Sequence, residues 1–180
     1  MSDLTRPSPG EHADYFLRYV ELVPDGDIVE TLMHQLGETL GLLQEVTPEL
    51  ETYRYAPDKW SIREVVGHLI DVERVFAFRA LAIARSDGVD LPSMEQDEWA
   101  RRSNANERAL DDLAQEWAAV RRANVHMFAT LGAGTGTRRG KAGGNPLTVR
   151  ALAWITAGHE LWHRELLARD YLSGTPRAGA

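Results

Sequence analysis

Three histidines are placed where their side chains could meet inside a helical protein. His68 lies in the run SIREVVGHLIDVE, and His159 and His163 lie in TAGHELWHRELL. Two histidines four residues apart project from the same face of a helix, and imidazole nitrogen is a common ligand of transition metals. If the three rings converge, they form a metal site with at least one open coordination position, where a water or a substrate could bind.

Two other interpretations of these histidines are open. Inward imidazoles can be core residues that hydrogen bond to backbone carbonyls or to nearby acids, here Glu64 and Asp71. Residues 159–163 read HELWH and match HExxH, the zinc-peptidase motif in which the glutamate is the general base. Such peptidases take their third ligand downstream, and only 17 residues follow His163. The sequence therefore favours a different kind of histidine site.

The net charge and the absence of cysteine exclude several classes of function. The 27 acidic and 20 basic residues give a net charge of −7, which argues against a nucleic-acid partner because phosphate binding needs a basic face. Arginine pairs at 101–102, 121–122 and 138–139 lie in mixed surroundings, and we interpret them as solvated surface. The chain has no cysteine, so disulfides, thiolate ligands and a cysteine nucleophile are excluded.

Length and hydropathy predict one domain without a membrane partner. The N-terminus lacks the basic start and apolar core of a signal peptide, and no apolar run approaches the ~20 residues that cross a bilayer. We therefore expect a cytoplasmic protein. A chain of 180 residues suits a single domain, which we place at residues 1–172, with residues 173–180 as a flexible tail.

Four segments with helical periodicity must position the histidines. They run from about Asp27 to Val46, Ser61 to Ala84, Asn106 to Leu131 and Leu147 to Tyr171. No segment shows convincing strand alternation, so an all-α four-helix bundle is predicted. His68 falls on the second helix, and the other two candidate histidines fall on the fourth.

Two connections between these helices are long, at residues 86–105 and 132–145. Long loops in a compact domain tend to be functional or disordered. The first contains an aromatic residue and several acids, and we expect it to be an ordered loop that covers a pocket. The second is glycine-rich, and we expect it to be mobile or to form an irregular excursion.

Five residues near the histidines are candidates for supporting roles. Glu64 and Asp71 share the His68 side of the second helix and could orient an imidazole through its free N–H. In the first long loop, Asp97 and Trp99 are candidates for contacts to substrate or water. Glu160 could act as a catalytic base, although it projects about 100° from its histidine neighbour around the helix.

A close resemblance to the DinB/YfiT-like superfamily is carried by YAPDKWSIREVVGHLIDVERVFAFRALAIARSDG, LPSMEQDEWA and RRGKAGGNPLTVRALAWITAGHELWHRELL, and it extends over residues 22–172. The resemblance implies a four-helix bundle with a divalent metal, most often zinc or nickel, held by one histidine of the second helix and two of the last. By that pattern His68, His159 and His163 are the ligands. Many members carry a further histidine where this chain has Trp162.

The resemblance also implies a range of activities. The superfamily includes thiol transferases and isomerases that use bacillithiol, mycothiol or glutathione, and many proteins regarded as hydrolases. We therefore expect a divalent-metal-dependent enzyme acting on a small molecule, either a hydrolase or a thiol S-transferase with a low-molecular-weight thiol as cosubstrate. The alternatives are a non-catalytic bundle that binds a metal or small molecule, and a structural bundle that forms a homodimer.

Overall fold

Four long helices form the body of the molecule. The computed structural model describes residues 3–86 and 88–173, so the predicted flexible tail lies outside the described residues except for Ser173. In chain order the α-helices are α1 (Leu17–Val20), α2 (Ile28–Gln44), α3 (Ile62–Arg85), α4 (Gln96–Arg102), α5 (Leu110–Ala129) and α6 (Val149–Leu166). Short helical turns of other types are Asp14–Phe16 and Ala105–Glu107, both 3₁₀, and the π-helical Leu167–Leu172.

The long helices α2, α3, α5 and α6 correspond to the four predicted helices, and polar caps fix three of their N-termini. The Asp27 carboxylate accepts backbone N–H bonds at the start of α2. Before α3, the Ser61 hydroxyl accepts the N–H of Glu64, whose carboxylate accepts the N–H of Ser61 in return. The Thr148 hydroxyl accepts the N–H of Ala151 at the start of α6.

The order of the helices around the bundle does not follow their order in the chain. Helix α2 packs against α5 and α6, and α3 packs against the same two helices. The consecutive helices α2 and α3 therefore lie at opposite corners of the bundle. This arrangement makes α3 and α6 neighbours, and these are the helices that carry the three candidate histidines. Within residues 3–86 and 88–173, no helix combines the length and the apolarity needed to cross a membrane.

A small three-stranded sheet corrects the prediction of an all-α fold. The strands are β1 (Asp90–Leu91), β2 (Arg139–Ala142) and β3 (Asn145–Thr148). In the order β1-β2-β3, the first pair is parallel and the second is antiparallel. Segment 132–145, expected to be mobile or irregular, contains β2 and a tight turn in which Gly143 and Gly144 have φ of +55° and +77°. Strands of two to four residues are too short for apolar alternation to reveal them.

The chain before α1 is bound to helix α6. Two donors of the Arg150 guanidinium reach the carboxylate of Glu11, which is buried. Near the start of the chain, the Leu4 carbonyl accepts the indole N–H of Trp154 at 2.9 Å. These bonds hold the N-terminal segment against α6, and the segment leads directly into α1 beside the same helix.

Buried polar residues divide the apolar core into two clusters. One cluster includes Leu32, Phe76, Val125, Phe128, Leu152 and Ile155. The other includes Leu36, Val65, Leu69, Leu113, Trp117 and Leu167. At or beside the boundary on each long helix lie polar side chains that we call the polar layer: Gln35, Thr39, His68, Glu73, Arg121, Asn124, His159, Glu160 and His163. The candidate histidines therefore belong to a polar section through the middle of the bundle.

Arg121 is the cation of the polar layer, which corrects its assignment to solvated surface. Its side chain is fully buried, and its Nε and Nη2 donate to the two carboxylate oxygens of Glu73 at 2.7 and 2.9 Å. Its Nη1 donates to the Leu32 carbonyl and to Gln35 Oε1, both at 3.2 Å. The neighbouring Arg122 is exposed. Through these bonds one side chain of α5 joins α2 and α3.

Replacing Arg121 with methionine should destabilise the protein, because the Glu73 carboxylate would stay buried without its partner. We expect the free energy of unfolding to fall by about 3–5 kcal/mol in urea titrations followed by circular dichroism. The matched control is Arg122→Met, which should change it by about 0.5 kcal/mol or less. Adding Glu73→Leu to Arg121→Met should restore part of the loss. Equal stability of the two single arginine variants would contradict this role for the ion pair.

Candidate metal centre

The three predicted histidines converge on one point between α3 and α6. One ring nitrogen from each of His68, His159 and His163 lies within 4.8 Å of the other two. The closest pair is His68 Nε2 and His159 Nε2, which are 3.1 Å apart. All three side chains are buried, with exposed fractions of 2%, 5% and 7%. His68, the third histidine, lies upstream of the HELWH motif in the chain. The HExxH peptidases instead take their third ligand from downstream of the motif.

The donor set fits a transition-metal ion. Zinc–imidazole bonds of ~2.0–2.1 Å in tetrahedral geometry place ligand nitrogens about 3.3 Å apart, close to the separation of His68 Nε2 and His159 Nε2. His163 Nδ1 is buried and has no hydrogen-bond partner among the described residues. An unpaired imidazole nitrogen is unfavourable in a protein core. The 3.1 Å separation would also suit a hydrogen bond between the rings of His68 and His159. The unpaired nitrogen of His163 is therefore the observation that favours a cation site over three hydrogen-bonded core histidines.

The acids of α3 do not support the histidines in the way we predicted. Glu64 accepts the N–H of Ser61 and pairs with Arg54 at 2.7 Å. Burial raises the pKa of Asp71, and the charges that act on this carboxyl are those of Arg74 and Glu116. Neither Glu64 nor Asp71 forms a hydrogen bond to a histidine among the described residues, so the expectation that they orient His68 is wrong.

Trp60 covers one side of the histidine cluster. This residue immediately precedes the cap of α3, and its ring centroid is 4.6 Å from that of His68. It is also nearly parallel to the His163 ring, with an interplanar angle of 18° and a centroid distance of 6.4 Å. Packing against an indole limits the rotation of both imidazoles.

Tyr19 and Phe76 enclose the other side. Both rings meet His159 edge to face, at centroid distances of 5.4 and 5.9 Å. Tyr19 reaches this position because α1 lies very close to α6: a Cβ atom at Gly158 would overlap the Tyr19 carbonyl. A glycine inside a helical pattern indicates such a close backbone approach, and this was the available signal for a residue that the sequence analysis missed.

Burial keeps the three imidazoles neutral. It lowers the pKa of His68 to about 3, with a smaller contribution from the charge that His163 would carry. It also lowers the pKa of His163 to about 4. The pKa of His159 lies well below its usual range, first through burial and then through repulsion by the other two rings. At neutral pH each ring therefore has a nitrogen lone pair available for a cation.

Two cavities flank the histidine cluster. A cavity of about 690 Å³ is lined by His159, and a second of about 640 Å³ is lined by His163. Helix α4 contributes Asp97 and Arg101 to the walls of both cavities. Trp99 is 44% exposed and lines neither of them. The first long loop thus contains a short helix that borders the site, and of the two predicted loop residues only Asp97 lines these cavities.

Glu160 lies away from the histidines, in the interface with α2. Its carboxyl group is buried, accepts a short hydrogen bond from the Thr39 hydroxyl and lies 3.7 Å from Arg164. Burial raises the pKa of Glu160, while the charge of Arg121 acts in the opposite direction. The observed contacts of the Glu160 carboxyl group are with Thr39 and Arg164, and none is with a histidine ring among the described residues. A catalytic role for Glu160 therefore stays a prediction.

Comparison with known proteins agrees with the predicted resemblance. The chain matches the model of the DinB superfamily over residues 32–167. It is also similar to a solved structure described as "YfiT from Bacillus subtilis is a probable metal-dependent hydrolase with an unusual four-helix bundle topology". The identity is 14%, the TM-score is 0.69, and 91% of each chain is covered, so this likeness confirms the four-helix bundle. No match was found among curated proteins.

The metal-free protein should lose stability as the pH falls below about 6.5. In the unfolded chain the histidines take up protons near their usual pKa, whereas the folded protein holds them neutral down to about 4 for His163 and about 3 for His68. The unfolded state therefore binds more protons across this interval, and acid favours it. Urea midpoints in EDTA should decrease from pH 7.5 to 5.5.

The variant His163→Leu should show a shallower decrease than wild type over the same interval. The control His34→Ala, which removes an exposed histidine, should follow wild type. Other buried acids are unchanged in both variants, so their titration cancels in the comparison. A wild-type midpoint that does not depend on pH in this interval would contradict the prediction.

Proposed function

Because the chain belongs to the DinB superfamily, we propose that it is a metal-dependent hydrolase that acts on a small molecule. The proposal depends on one observation, the convergence of three buried and neutral imidazoles on a single point. His68, His159 and His163 would be the metal ligands. Zinc and nickel are the proposed ions, since both suit ligation by imidazole alone. The description of the YfiT structure as a probable metal-dependent hydrolase supports the same class of reaction.

In the proposed site, the metal ion would activate the reactants, and the surrounding residues would hold the ion and bind the substrate. A divalent ion acts as a Lewis acid and can activate a water for attack on an ester or amide carbonyl. The imidazoles are uncharged at neutral pH, so each already has one nitrogen lone pair free to coordinate without first losing a proton. Trp60 packs against His68 and Tyr19 packs against His159, so each aromatic ring limits the movement of the imidazole that it contacts.

Tyr19 is the proposed hydrogen-bond donor to the substrate. Its ring contacts His159 and lines the cavity of about 690 Å³. Burial raises the pKa of Tyr19 above its usual range, so the phenol keeps its proton at neutral pH. Its oxygen is 3.4 Å from that of Tyr15, which also lines this cavity. A donor in this position can bind a substrate oxygen that becomes more negative during attack.

Asp97 is the proposed acidic group of the site. It is exposed on α4 and lines both cavities, so it can reach a water or a substrate on either side of the histidines. A carboxylate in this position could orient a water that enters the site. Its contribution is tested by Asp97→Asn, which keeps the size of the side chain and removes the charge.

Thiol S-transfer is a second candidate function, and the paired cavities favour it. His159 lines one cavity and His163 lines the other, so two different molecules could approach the same centre from separate sides. A transferase needs two reactants, whereas a hydrolase needs one organic substrate and water. Since the chain has no cysteine, the sulfur nucleophile of such a reaction would be a small thiol.

The proposed centre should bind about one divalent ion per chain after reconstitution with zinc or nickel, as expected of a three-histidine site. His159→Ala should lose this ion, because it removes one of the three proposed ligands. Metal content is measured by mass spectrometry after gel filtration. The matched control is His34→Ala, which removes an exposed histidine and should keep the metal. Wild-type protein that binds no ion after reconstitution would exclude both candidate enzymes.

Activity assays on the same preparations separate the candidate functions. Metal-loaded protein is tested on a panel of esters, and then on pairs of a small thiol and an electrophile. Ester hydrolysis that is lost in His159→Ala supports the hydrolase. Thiol conjugation without hydrolysis supports the transferase instead. Bound metal with neither activity supports the alternative of a non-catalytic binding bundle.

A further inference from the structure

Arg79 on α3 is a buried cation for which the described chain supplies no carboxylate. Its side chain is only 7% exposed, and its hydrogen bond runs from Nη2 to the Pro92 carbonyl at 2.8 Å. Among residues 3–86 and 88–173, it forms no ion pair. A guanidinium carries five N–H donors, so most of its donors remain open to a partner. Burial lowers the pKa of Arg79, as expected for a cation without a nearby anion.

Arg121, which is also buried, shows how a buried positive charge is neutralised elsewhere in this fold. Arg121 pairs with the carboxylate of Glu73 through two hydrogen bonds, and its remaining donors reach further oxygens. Buried charges in proteins are ordinarily paired in this way. Arg79 has no such partner among the described residues.

Arg79 lines the larger cavity, together with His159. The aromatic residues Phe16, Tyr19 and Phe76 form part of the same wall. A volume of about 690 Å³ lies within the range of cavities that hold small organic molecules. Aromatic walls and one buried guanidinium match a ligand that has an apolar body and a single anionic group.

The anion-binding position is separate from the histidine cluster. Arg79 follows His68 by eleven residues, close to three helical turns, so both project from the same face of α3. Their Cα atoms are therefore about 16 Å apart along the helix axis. Side chains on a helix lean toward its N-terminus, which directs Arg79 back toward the histidines. A ligand held by Arg79 would extend toward the metal centre with its anionic group at the far end.

Charges at the mouth of this cavity are of both signs. Glu95, Asp97 and Arg101 are exposed there, on or next to α4. Glu98 also lines the cavity, and it is paired with Arg102 at 2.6 Å. Exposed charges are screened by solvent and salt, whereas a buried charge is screened much less. The inner end of the cavity therefore has a positive character that the mouth lacks.

We propose that Arg79 binds the carboxylate of a small organic acid in the cavity beside His159. A planar carboxylate matches the fork of a guanidinium and can accept two parallel hydrogen bonds. The substrate of the proposed enzyme is then an anion whose reacting bond is several bonds away from its carboxylate. As a statement about substrate this inference rests on the proposed function, but the binding of the anion requires no metal.

The test measures binding to metal-free protein by NMR. The probes are 4-phenylbutyrate and its neutral amide, with inorganic phosphate as a second anion. Affinities are obtained from chemical-shift changes of backbone amides around the cavity, which every variant retains. In wild type, the side-chain Nε–H of Arg79, assigned by its loss in Arg79→Gln, also reports contact with this group. Wild type should bind the carboxylate about tenfold more tightly than the amide, because only the carboxylate offers the charge. Arg79→Gln should remove this preference and leave binding of the amide unchanged.

Two further variants complete the design. Arg101→Gln is the matched control, since it removes an exposed arginine from the mouth of the same cavity and should keep the preference. Arg79→Lys keeps the positive charge but lacks the planar guanidinium, so it should retain part of the preference for the carboxylate over the amide. This variant replaces Arg79→Gln in the test if Arg79→Gln does not fold. Folding of each variant is checked by its urea midpoint.

Several outcomes would overturn the proposal. Equal binding of 4-phenylbutyrate and its amide by wild type is one, and an unchanged preference in Arg79→Gln is another. Phosphate bound more tightly than the carboxylate would overturn the choice of carboxylate. Metal binding after reconstitution is measured on a part of the same preparations, so a missing metal and a missing anion site give separate results. The first contradicts the proposed function, and the second contradicts only the role of Arg79.

Discussion

Burial of polar side chains at the middle of the bundle is the constraint on which the rest of the structure depends. Polar groups without hydrogen bonds are unfavourable in a core, and most of these side chains have a partner on another helix. Among the described residues, His163 Nδ1 and one carboxylate oxygen of Glu160 have none. Arg121 of α5 meets Glu73 of α3 and Gln35 of α2, and Gln35 in turn donates to the Ala157 carbonyl of α6 at 3.1 Å. All four long helices are therefore joined at one level. A shift of any helix along its axis would break several of these bonds together.

The same constraint positions the candidate metal centre. His159 follows Ala157 by two residues on α6, and His68 precedes Glu73 by five residues on α3. The bonds that fix Ala157 and Glu73 thus also fix the relative height of the two imidazoles. Apolar contacts alone, which tolerate sliding, would define this height less sharply. The other members of the polar layer therefore support the geometry of the three histidines from positions away from the proposed reacting groups.

Sequence patterns revealed the helices and the inward histidines because both depend on periodicity along one segment. The capping residues Ser61 and Glu64 act within a single turn, and so they were also recognisable. Arg121 was not, since its burial depends on a carboxylate 48 residues away in the chain. The three strands are too short to show alternation. Tyr19 and Trp60 reach the site through the packing of α1 and of the turn before α3, which no local pattern specifies.

Helix α4 forms a wall shared by two cavities, through Asp97 and Arg101. A ligand that displaces this short helix on one side also changes the volume and the charge available on the other. Occupancy of the two compartments is then thermodynamically linked, and the linkage must be reciprocal: if the first ligand weakens the second, the second weakens the first by the same factor. For a reaction with two reactants, this coupling between the two cavities determines the order in which the reactants bind at the histidine site.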